Sequence, residues 1–201
     1  MRFTRHGILF LISAPSGAGK TTVVQALRKS GKFFYSVSCT TRVPRAGEIN
    51  GEHYRFLSAP DFHARIDAGD FLEHAKVHQD FYGTLREPVL TNLQNGVDVL
   101  IDIDTQGAAT IRNCGDAIVR QALADIFIMP SDVEELRRRL TKRGTETAQE
   151  IESRLATAMR EMELWRDYRY TLVSGSVEED LESVRSIMSA ETFLSRRLTP
   201  I

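Results

Sequence analysis

Four short apolar runs divide the chain, and longer segments that mix apolar and polar residues separate them. The runs span residues 8–13, 97–104, 126–129 and 170–173. Residues 8–13 contain no charged side chain, which is typical of a strand buried on both faces of a parallel sheet. The run at 97–104 ends in acidic residues, and the run at 126–129 is closed by a proline. We therefore predict four strands.

Helical periodicity marks the segments between these strands. Residues 20–30 place Val23, Val24 and Leu27 on one face, and Gly31 is a helix stop. Later helices are predicted to begin where a serine or threonine precedes a glutamate by three residues, the capping-box spacing: Ser131 with Glu134, Thr147 with Glu150, and Ser176 with Glu179. The second of these helices has a predicted apolar face of Ile151, Leu155, Ala158, Met159, Met162 and Trp165. Strands that alternate with helices predict an α/β fold with a mainly parallel sheet.

Residues 36–90 break this alternation. They contain short β-like pieces, a turn signal at Ala59-Pro60-Asp61 and a short helical segment at 62–68. We predict that they form a lobe inserted between the first helix and the strand at 97–104.

Length, net charge and cysteine content limit the classes of protein to which this chain could belong. The chain has 201 residues, a net charge of −1 and two cysteines. This length fits one domain, the charge gives no sign of nucleic acid or an anionic membrane as a partner, and two cysteines fit a reducing compartment. The apolar stretch at 8–12 is shorter than the roughly 7–15 residues of a signal-peptide core. No stretch reaches the roughly 18 apolar residues of a membrane span. We expect a cytoplasmic monomer or small homo-oligomer.

The junction between the first strand and the first helix reads SAPSGAGKTT (residues 13–22). Glycines let backbone N–H groups turn toward an anion, and the helix that begins at Lys20 adds the positive end of its dipole. This context predicts a phosphate-binding loop, although Ala14 stands at the first glycine of the G-x-x-x-x-G-K-[ST] pattern. The alternative is an ordinary strand-to-helix turn. The predicted binding residues are Ala14, Pro15, Ser16, Gly17, Ala18, Gly19, Lys20, Thr21 and Thr22.

Two acidic residues end the strand at 97–104. Asp102 and Asp104 are two residues apart, so their side chains point to the same face. The carboxyl end of a parallel strand is where ligands bind in open α/β sheets. Asp102 is predicted to hold Mg²⁺, directly or through water, together with the Thr21 hydroxyl.

Six segments occur in an order and at spacings that resemble guanylate kinases, the family that phosphorylates GMP with ATP: SAPSGAGKTT, SCTTRVPRAGEINGEHY, FLEH, FYGT, LIDIDTQG and KRGTET. The resemblance spans essentially the whole chain. It implies a P-loop NTPase parallel-sheet core (residues 1–35, 91–130 and 168–201), an inserted mixed α/β GMP-binding lobe (36–90), and a helical lid with its connecting helix (131–167). The implied reaction transfers the γ-phosphoryl group of ATP, bound with Mg²⁺ on residues 14–22, to GMP or dGMP in purine nucleotide metabolism.

The resemblance also implies the acceptor site. The GMP phosphate is expected on Arg42, Arg45, Tyr54 and Tyr82, and the guanine base on Ser38, Glu73 and Thr84, with Asp104 nearby. A carboxylate at Glu73 would accept both guanine donors, N1–H and the 2-amino group, which adenine lacks. From the residues alone, Arg42 and Arg45 could equally be surface charges, and Glu73 could be a solvated charge at a helix end.

Further arginines are implied on a lid that closes over the triphosphate, namely Arg139, Arg143 and Arg154. With Lys20 and Arg45 they are expected to be the catalytic residues, because phosphoryl transfer needs charge neutralisation and alignment. No general base is expected, since the attacking group is already a phosphate oxygen. His74 and His78 lie four residues apart but show no third metal ligand.

A second departure from the family pattern follows the last strand. Ser174 and Gly175 stand where the family usually has Asn-Asp. Ser174 keeps a hydroxyl on the ATP side and is included among the ATP-binding residues.

Two other functions stay open at this stage. A guanylate-kinase-like protein-binding module typically lacks the loop lysine and the donor-side arginines, which this chain retains. A sister kinase that acts on a phosphorylated ribose would share the loop and lid but would not need Ser38, Glu73 and Thr84 as a base-reading set.

Overall fold

The structure, a computed structural model, describes residues 2–77, 79–142 and 148–200, with the backbone alone at residues 30, 142 and 148. The helices are α1 (Lys20–Ser30), α2 (Ala59–Asp67), α3 (Arg86–Gln94), α4 (Thr105–Arg112), α5 (Ala117–Ala122), α6 (Val133–Lys142), α7 (Ala148–Met162) and α8 (Val177–Thr192), with 3-10 helices at Glu163–Asp167 and Ser195–Arg197. The strands are β1 (Phe3–Arg5), β2 (Leu9–Ser13), β3 (Phe34–Tyr35), β4 (Cys39–Thr40), β5 (Arg55–Phe56), β6 (Phe71–Val77), β7 (Asp80–Leu85), β8 (Val99–Asp102), β9 (Leu123–Met129), β10 (Tyr170–Val173) and β11 (Leu198–Pro200). Among the described helices, none has the length and apolar character needed to span a bilayer.

The core of the described chain is a five-stranded sheet in the order β10-β9-β2-β8-β3, and every strand pair in it is parallel. All residues of the central strand β2 are buried. Leu9 and Leu11 belong to the apolar cluster on one face, and Phe10 and Ile12 to the cluster on the other, because side chains alternate across a strand. The predicted α/β fold with a mainly parallel sheet is confirmed.

The strand predicted at 97–104 is shorter at both ends. Val97 donates its N–H to Asn92 O in the turn after α3. Asp104 is the N-cap of α4 and accepts a hydrogen bond from Gly107 N–H. Val97 and Asp104 therefore belong to the ends of α3 and α4, and β8 itself is four residues long.

The strand predicted at 126–129 begins three residues earlier, at Leu123. Asp125 interrupts the apolar pattern there, yet the residue is buried inside the strand. Its carboxylate accepts hydrogen bonds from Arg112 Nη1 at 3.2 Å and from Arg169 N–H at 3.1 Å. A buried acid with two donors is compatible with a central strand, and the apolar pattern does not reveal this.

Two helix starts test the capping predictions. Ser176 and Glu179 form the predicted capping box at the start of α8. At α6 the prediction is wrong, because Asp132 rather than Ser131 accepts the N–H of Glu135, at 2.7 Å. The helix begins at the residue after Asp132, so its carboxylate is the nearest acceptor. That backbone hydrogen bond lowers the pKa of Asp132.

The apolar face predicted along 151–165 is correct only in part. Its predicted cap, Thr147, lies outside the described residues. Leu155 and Ala158 are buried against α6, but Met159 is 50% exposed and Trp165 is 38% exposed. Trp165 lies in the 3-10 helix after α7, where the turn tightens to about three residues and the 3.6-residue periodicity ends.

The inserted lobe carries a mixed sheet of four described strands in the order β5-β4-β7-β6. Helix α2 packs on it through Phe62, whose ring lies 4.5 Å from that of Phe71. This helix starts earlier than the predicted segment at 62–68, because the Ser58 hydroxyl caps it by accepting Asp61 N–H. The lobe packs on the core through β6, which contacts α3 and α4 and contributes Leu72 to the apolar cluster of Leu9 and Leu11.

Candidate active site

The predicted phosphate loop lies between β2 and α1. Gly17 and Gly19 have φ values of +91° and +96°, a conformation that residues with a Cβ rarely adopt. Gly19 is the N-cap of α1 and gives it no side-chain hydrogen bond, so no capping side chain stands between the start of the helix and an anion. Ala14 is buried in an apolar cluster with Ala18 and Val23. Alanine in place of the first glycine is thus accommodated by packing.

Lys20 lies over the carboxyl end of β8. Its Nζ is 2.5 Å from Asp102 Oδ1 and donates to Ile103 O at 2.7 Å. The ion pair fixes the loop lysine at the edge of the sheet. A lysine and a carboxylate predicted from two separate segments are therefore in direct contact.

Two neighbouring cavities open beside Lys20. The lobe cavity has a volume of about 330 Å³ and is lined by Lys20, Thr21, Tyr35, Ser38, His53, Tyr54, Glu73, Ala75, Val77, Tyr82, Gly83, Asp102, Ile103 and Asp104. The loop cleft has a volume of about 810 Å³ and is lined by residues 14–21, Lys76, Val77, Asp104, Gln106, Glu150, Ser153, Arg154, Thr157 and Glu161. The two share Lys20, Thr21, Val77 and Asp104. They therefore meet at the end of the phosphate loop.

Glu73 is the one carboxylate that the lobe sheet contributes to the lobe cavity. It lies opposite Thr84 in the pairing of β6 with β7, and the Thr84 hydroxyl donates to Glu73 Oε1 at 2.8 Å. The residue is 7% exposed, so the alternative of a solvated helix-end charge is wrong. Burial raises the pKa of Glu73 to about 7, the charge of Asp104 adds to the rise, and the hydrogen bonds from Thr84 oppose it. Thr84 itself is fully buried behind Glu73.

The two tyrosines predicted for the phosphate line the lobe cavity, whereas the two arginines do not. Arg42 Nη2 donates to Glu48 Oε1 at 2.8 Å, and its guanidinium lies 5.5 Å from the centre of the Tyr54 ring. Arg45 is exposed, and its backbone N–H donates to Glu48 Oε2 at 2.7 Å. The hydrogen bond from Arg42, followed by that from Arg45, lowers the pKa of Glu48 to about 2.

Helix α6, predicted to belong to the lid, packs directly against the phosphate loop. A Cβ at Gly17 would lie 2.8 Å from the Leu140 side chain. Arg139 Nη1 donates to Ala18 O at 2.7 Å and to Ser174 Oγ at 3.2 Å. Arg154 of α7 lines the loop cleft, whereas Arg143 lies outside the described residues. Two of the three predicted lid arginines are therefore next to the loop.

Metal-ligating groups were predicted at Thr21 and Asp102, and both line the lobe cavity. Their oxygen atoms are of the kind that Mg²⁺ prefers. Of the histidine pair at positions 74 and 78, His78 lies outside the described residues and His74 is exposed on β6. Within the part of the chain that the structure describes, no group of three His, Cys, Asp or Glu side chains could hold a metal ion.

Comparison with known proteins decides the family. The family model for guanylate kinase matches residues 7–191. The guanylate kinase of Clostridium tetani is 42% identical over 186 residues, which cover 92% of this chain and 86% of that protein. The guanylate kinase of Chelativorans sp. is 44% identical over 195 residues, which cover 96% of this chain and 87% of that protein. The chain belongs to the guanylate kinase family.

A solved guanylate kinase has the same architecture. The crystal structure of guanylate kinase from Anaplasma phagocytophilum matches this structure with a TM-score of 0.80 at 31% identity, and the match covers 98% of this chain and 92% of that one. The predicted fold class, a parallel core sheet with an inserted mixed lobe, is thus confirmed along with the family.

Some contacts around the phosphate loop and the lobe have no local signal in the sequence. Glu161 of α7 accepts from Ser16 N–H at 3.1 Å and is 3.5 Å from the Thr105 hydroxyl. Glu48 accepts from the Arg42 guanidinium and from the Arg45 backbone N–H. Glu48 lies in the segment SCTTRVPRAGEINGEHY, which resembles the family, but nothing in the sequence near residue 161 points to Ser16, which lies 145 positions away.

Proposed function

We propose that this chain transfers the γ-phosphoryl group of ATP to GMP or dGMP, giving ADP and GDP or dGDP. The observation that carries the proposal is the meeting of the loop cleft and the lobe cavity at Lys20, Thr21 and Asp104. The loop cleft is lined by a phosphate loop, and the lobe cavity by a buried carboxylate suited to guanine. Two nucleotides bound there would point their phosphates at each other.

The donor side is suited to a triphosphate. Amides of the phosphate loop and the N-terminus of α1 would bind the phosphates, and Lys20 would exchange its contact with Asp102 for phosphate oxygens. Mg²⁺ would arrive on ATP, with the Thr21 hydroxyl and Asp102 as its protein partners, and would neutralise phosphate charge. Ser174 lies behind Arg139 at this end of the site.

The acceptor side is suited to guanine. Ionised Glu73 would accept N1–H and the 2-amino group of the base, while Ser38 would donate to O6. Adenine offers neither donor, so it would leave the carboxylate buried and unpaired, which can reject a base by about 10⁴-fold. Thr84 supports Glu73 from behind, and Asp104 lines the same cavity.

The phosphate of GMP would lie near Tyr54 and Tyr82, with Arg42 and Arg45 turning in from the side. The Arg42 guanidinium binds Glu48 in this structure, so a phosphate would compete with that carboxylate for it, whereas Arg45 contacts Glu48 through its backbone N–H. A guanidinium pairs with two phosphate oxygens at once, which favours the exchange.

The transfer itself requires alignment rather than proton chemistry. A phosphate oxygen of GMP would attack the γ-phosphorus, forming one O–P bond while the bond to the β-phosphate oxygen of ATP breaks, and ADP would leave with that electron pair. Lys20, Arg45, Arg139, Arg143 and Arg154 would neutralise the charge on the transferring group. One arginine placed in this way can contribute roughly 10³–10⁵ in rate.

A coupled assay that follows ADP tests the function. We expect ADP formation to require GMP or dGMP and to be at background with AMP or ribose 5-phosphate. ADP formation with ribose 5-phosphate but not GMP would favour the sister kinase. No ADP with any acceptor would favour the protein-binding module.

We further propose the three-part division given by the sequence, a cytoplasmic location, and a monomer or small homo-oligomer. Cys39 and Cys114 are both free thiols, which fits a reducing compartment. Gel filtration with light scattering would measure the oligomeric state.

A further inference from the structure

Ser174 connects the lid helix to α8. Its side chain is buried. The hydroxyl donates to Asp180 Oδ2 at 2.7 Å and accepts from Arg139 Nη1 at 3.2 Å. The same nitrogen of Arg139 donates to Ala18 O in the phosphate loop at 2.7 Å. A continuous chain of hydrogen bonds therefore runs from α8 to the phosphate loop.

Asp180 determines which group donates in each of these hydrogen bonds. It is 4% exposed, and its second oxygen, Oδ1, accepts Gly175 N–H at 2.8 Å. A serine hydroxyl has one proton. Since Asp180 takes that proton, Ser174 presents only lone pairs to Arg139, which is the arrangement a guanidinium needs.

The Arg139 guanidinium is bound to the protein through Nε and Nη1, while Nη2 faces no protein acceptor among the described residues. Nε donates to Glu135 Oε1 at 2.6 Å, and Nη1 donates to the two oxygens named above. Among the described residues, no protein acceptor is hydrogen-bonded to Nη2. An arginine has five N–H donors in a rigid plane, so fixing three of them orients the other two. The plane lies against the loop, because a Cβ at Gly19 would be 3.2 Å from Nη1.

We propose that Asp180 is a positioning residue for phosphoryl transfer, acting through Ser174 on Arg139. In a chain with Ser-Gly at 174–175, where the family usually has Asn-Asp, a carboxylate from α8 fixes this turn and the arginine beside it. This inference rests on the proposed role of Arg139.

Asp180→Asn tests it, because an amide supplies one acceptor where the hydroxyl of Ser174 and the N–H of Gly175 need two. We expect kcat to fall about tenfold, as a small displacement of a catalytic group can cost up to about 10²-fold. Affinity for GMP should not change. Glu182→Gln, an exposed change on the same helix, is the matched control and should leave both values unchanged.

The deciding measurement is a double-mutant cycle with Arg139→Ala. If Asp180 acts through Arg139, Asp180→Asn should lower kcat less than twofold in the Arg139→Ala background. An undiminished tenfold loss in that background would overturn the inference. If Asp180→Asn does not fold, as judged by thermal unfolding, Ser174→Ala takes its place in the same cycle, and both outcomes are interpreted in the same way. Normal kcat in Arg139→Ala alone would instead overturn the proposed role of that arginine.

Discussion

The Thr84 hydroxyl donates to Glu73 Oε1 at 2.8 Å across the paired strands β6 and β7. Its single proton is used in this bond, so Thr84 cannot donate to a guanine base at the same time. Ser38, which lines the lobe cavity, is then the hydroxyl left for guanine O6. The proposed acceptor site thus consists of the Glu73 carboxylate, bound from behind by Thr84, and the Ser38 hydroxyl as donor.

Glu73→Gln should weaken GMP binding about 10- to 100-fold, because an amide accepts one of the two guanine donors and presents its own N–H groups to the other. AMP binding, measured in the same titrations, should not weaken. Asp67→Asn, an exposed change on α2 of the same lobe, is the control and should bind GMP as the unmodified chain does. Isothermal titration calorimetry measures all three, and equal GMP affinity in Glu73→Gln would place the base elsewhere.

GMP affinity should also depend on pH through Glu73. The pKa of this carboxyl is raised to about 7, mainly by burial, and only the ionised form accepts both guanine donors. Affinity should therefore fall as pH drops below 7, by about tenfold per pH unit, and level off above pH 8. The phosphate of GMP also titrates in this range, so the test is the difference between the profiles of the unmodified chain and Glu73→Gln. Two parallel profiles would show that Glu73 does not titrate on binding.

The same raised pKa predicts a cost to stability. Below its ordinary pKa of 4.5 the Glu73 carboxyl is protonated in both the folded and the unfolded chain. As pH rises from 4.5 to 7 the unfolded chain ionises first, so the folded state loses up to about 3 kcal/mol. Glu73→Gln, which stays neutral, should be more stable than the unmodified chain at pH 8 and similar to it at pH 4.5. Urea unfolding at the two pH values measures the difference, and equal stabilities at pH 8 would refute it.

Lys20→Ala should lower kcat by about 10²–10³-fold, the usual effect of removing one donor aimed at developing charge. GMP affinity should change only modestly, because Lys20 is at the edge of the lobe cavity while the proposed base contacts lie on the lobe. Lys29→Ala, near the other end of α1 and exposed, is the control for charge. Steady-state kinetics with ATP and GMP separates the effects, and a variant with unchanged kcat would remove Lys20 from the transfer step.

Local patterns allowed much of the fold to be predicted. Helix α1 and strand β10 have the predicted bounds, because Gly31 and the run YTLV mark these elements through residues that are adjacent in the chain. The predictions failed where distant residues decide the structure. Asp125 is tolerated in β9 because Arg112 reaches it from α4, a contact that no local periodicity reveals.

The candidate site could likewise be predicted from the sequence only where its residues are close together in the chain. The phosphate loop could be predicted from its own residues, since strand, glycines and helix are contiguous in the chain. The proposed acceptor residues could be predicted only from the resemblance to a family, because strand pairing brings them together from separate parts of the lobe. Asp180 was not predicted at all, since its contact with Ser174 exists only once α8 packs beside β10.

A crystal structure with GMP and a non-hydrolysable ATP analogue bound together tests the central claim most directly. We predict the guanine edge against Glu73, the triphosphate on residues 17–22, and the two phosphate groups facing each other beside Lys20. A guanine base away from Glu73, or a GMP phosphate on the far side of the lobe from Lys20, would contradict the account.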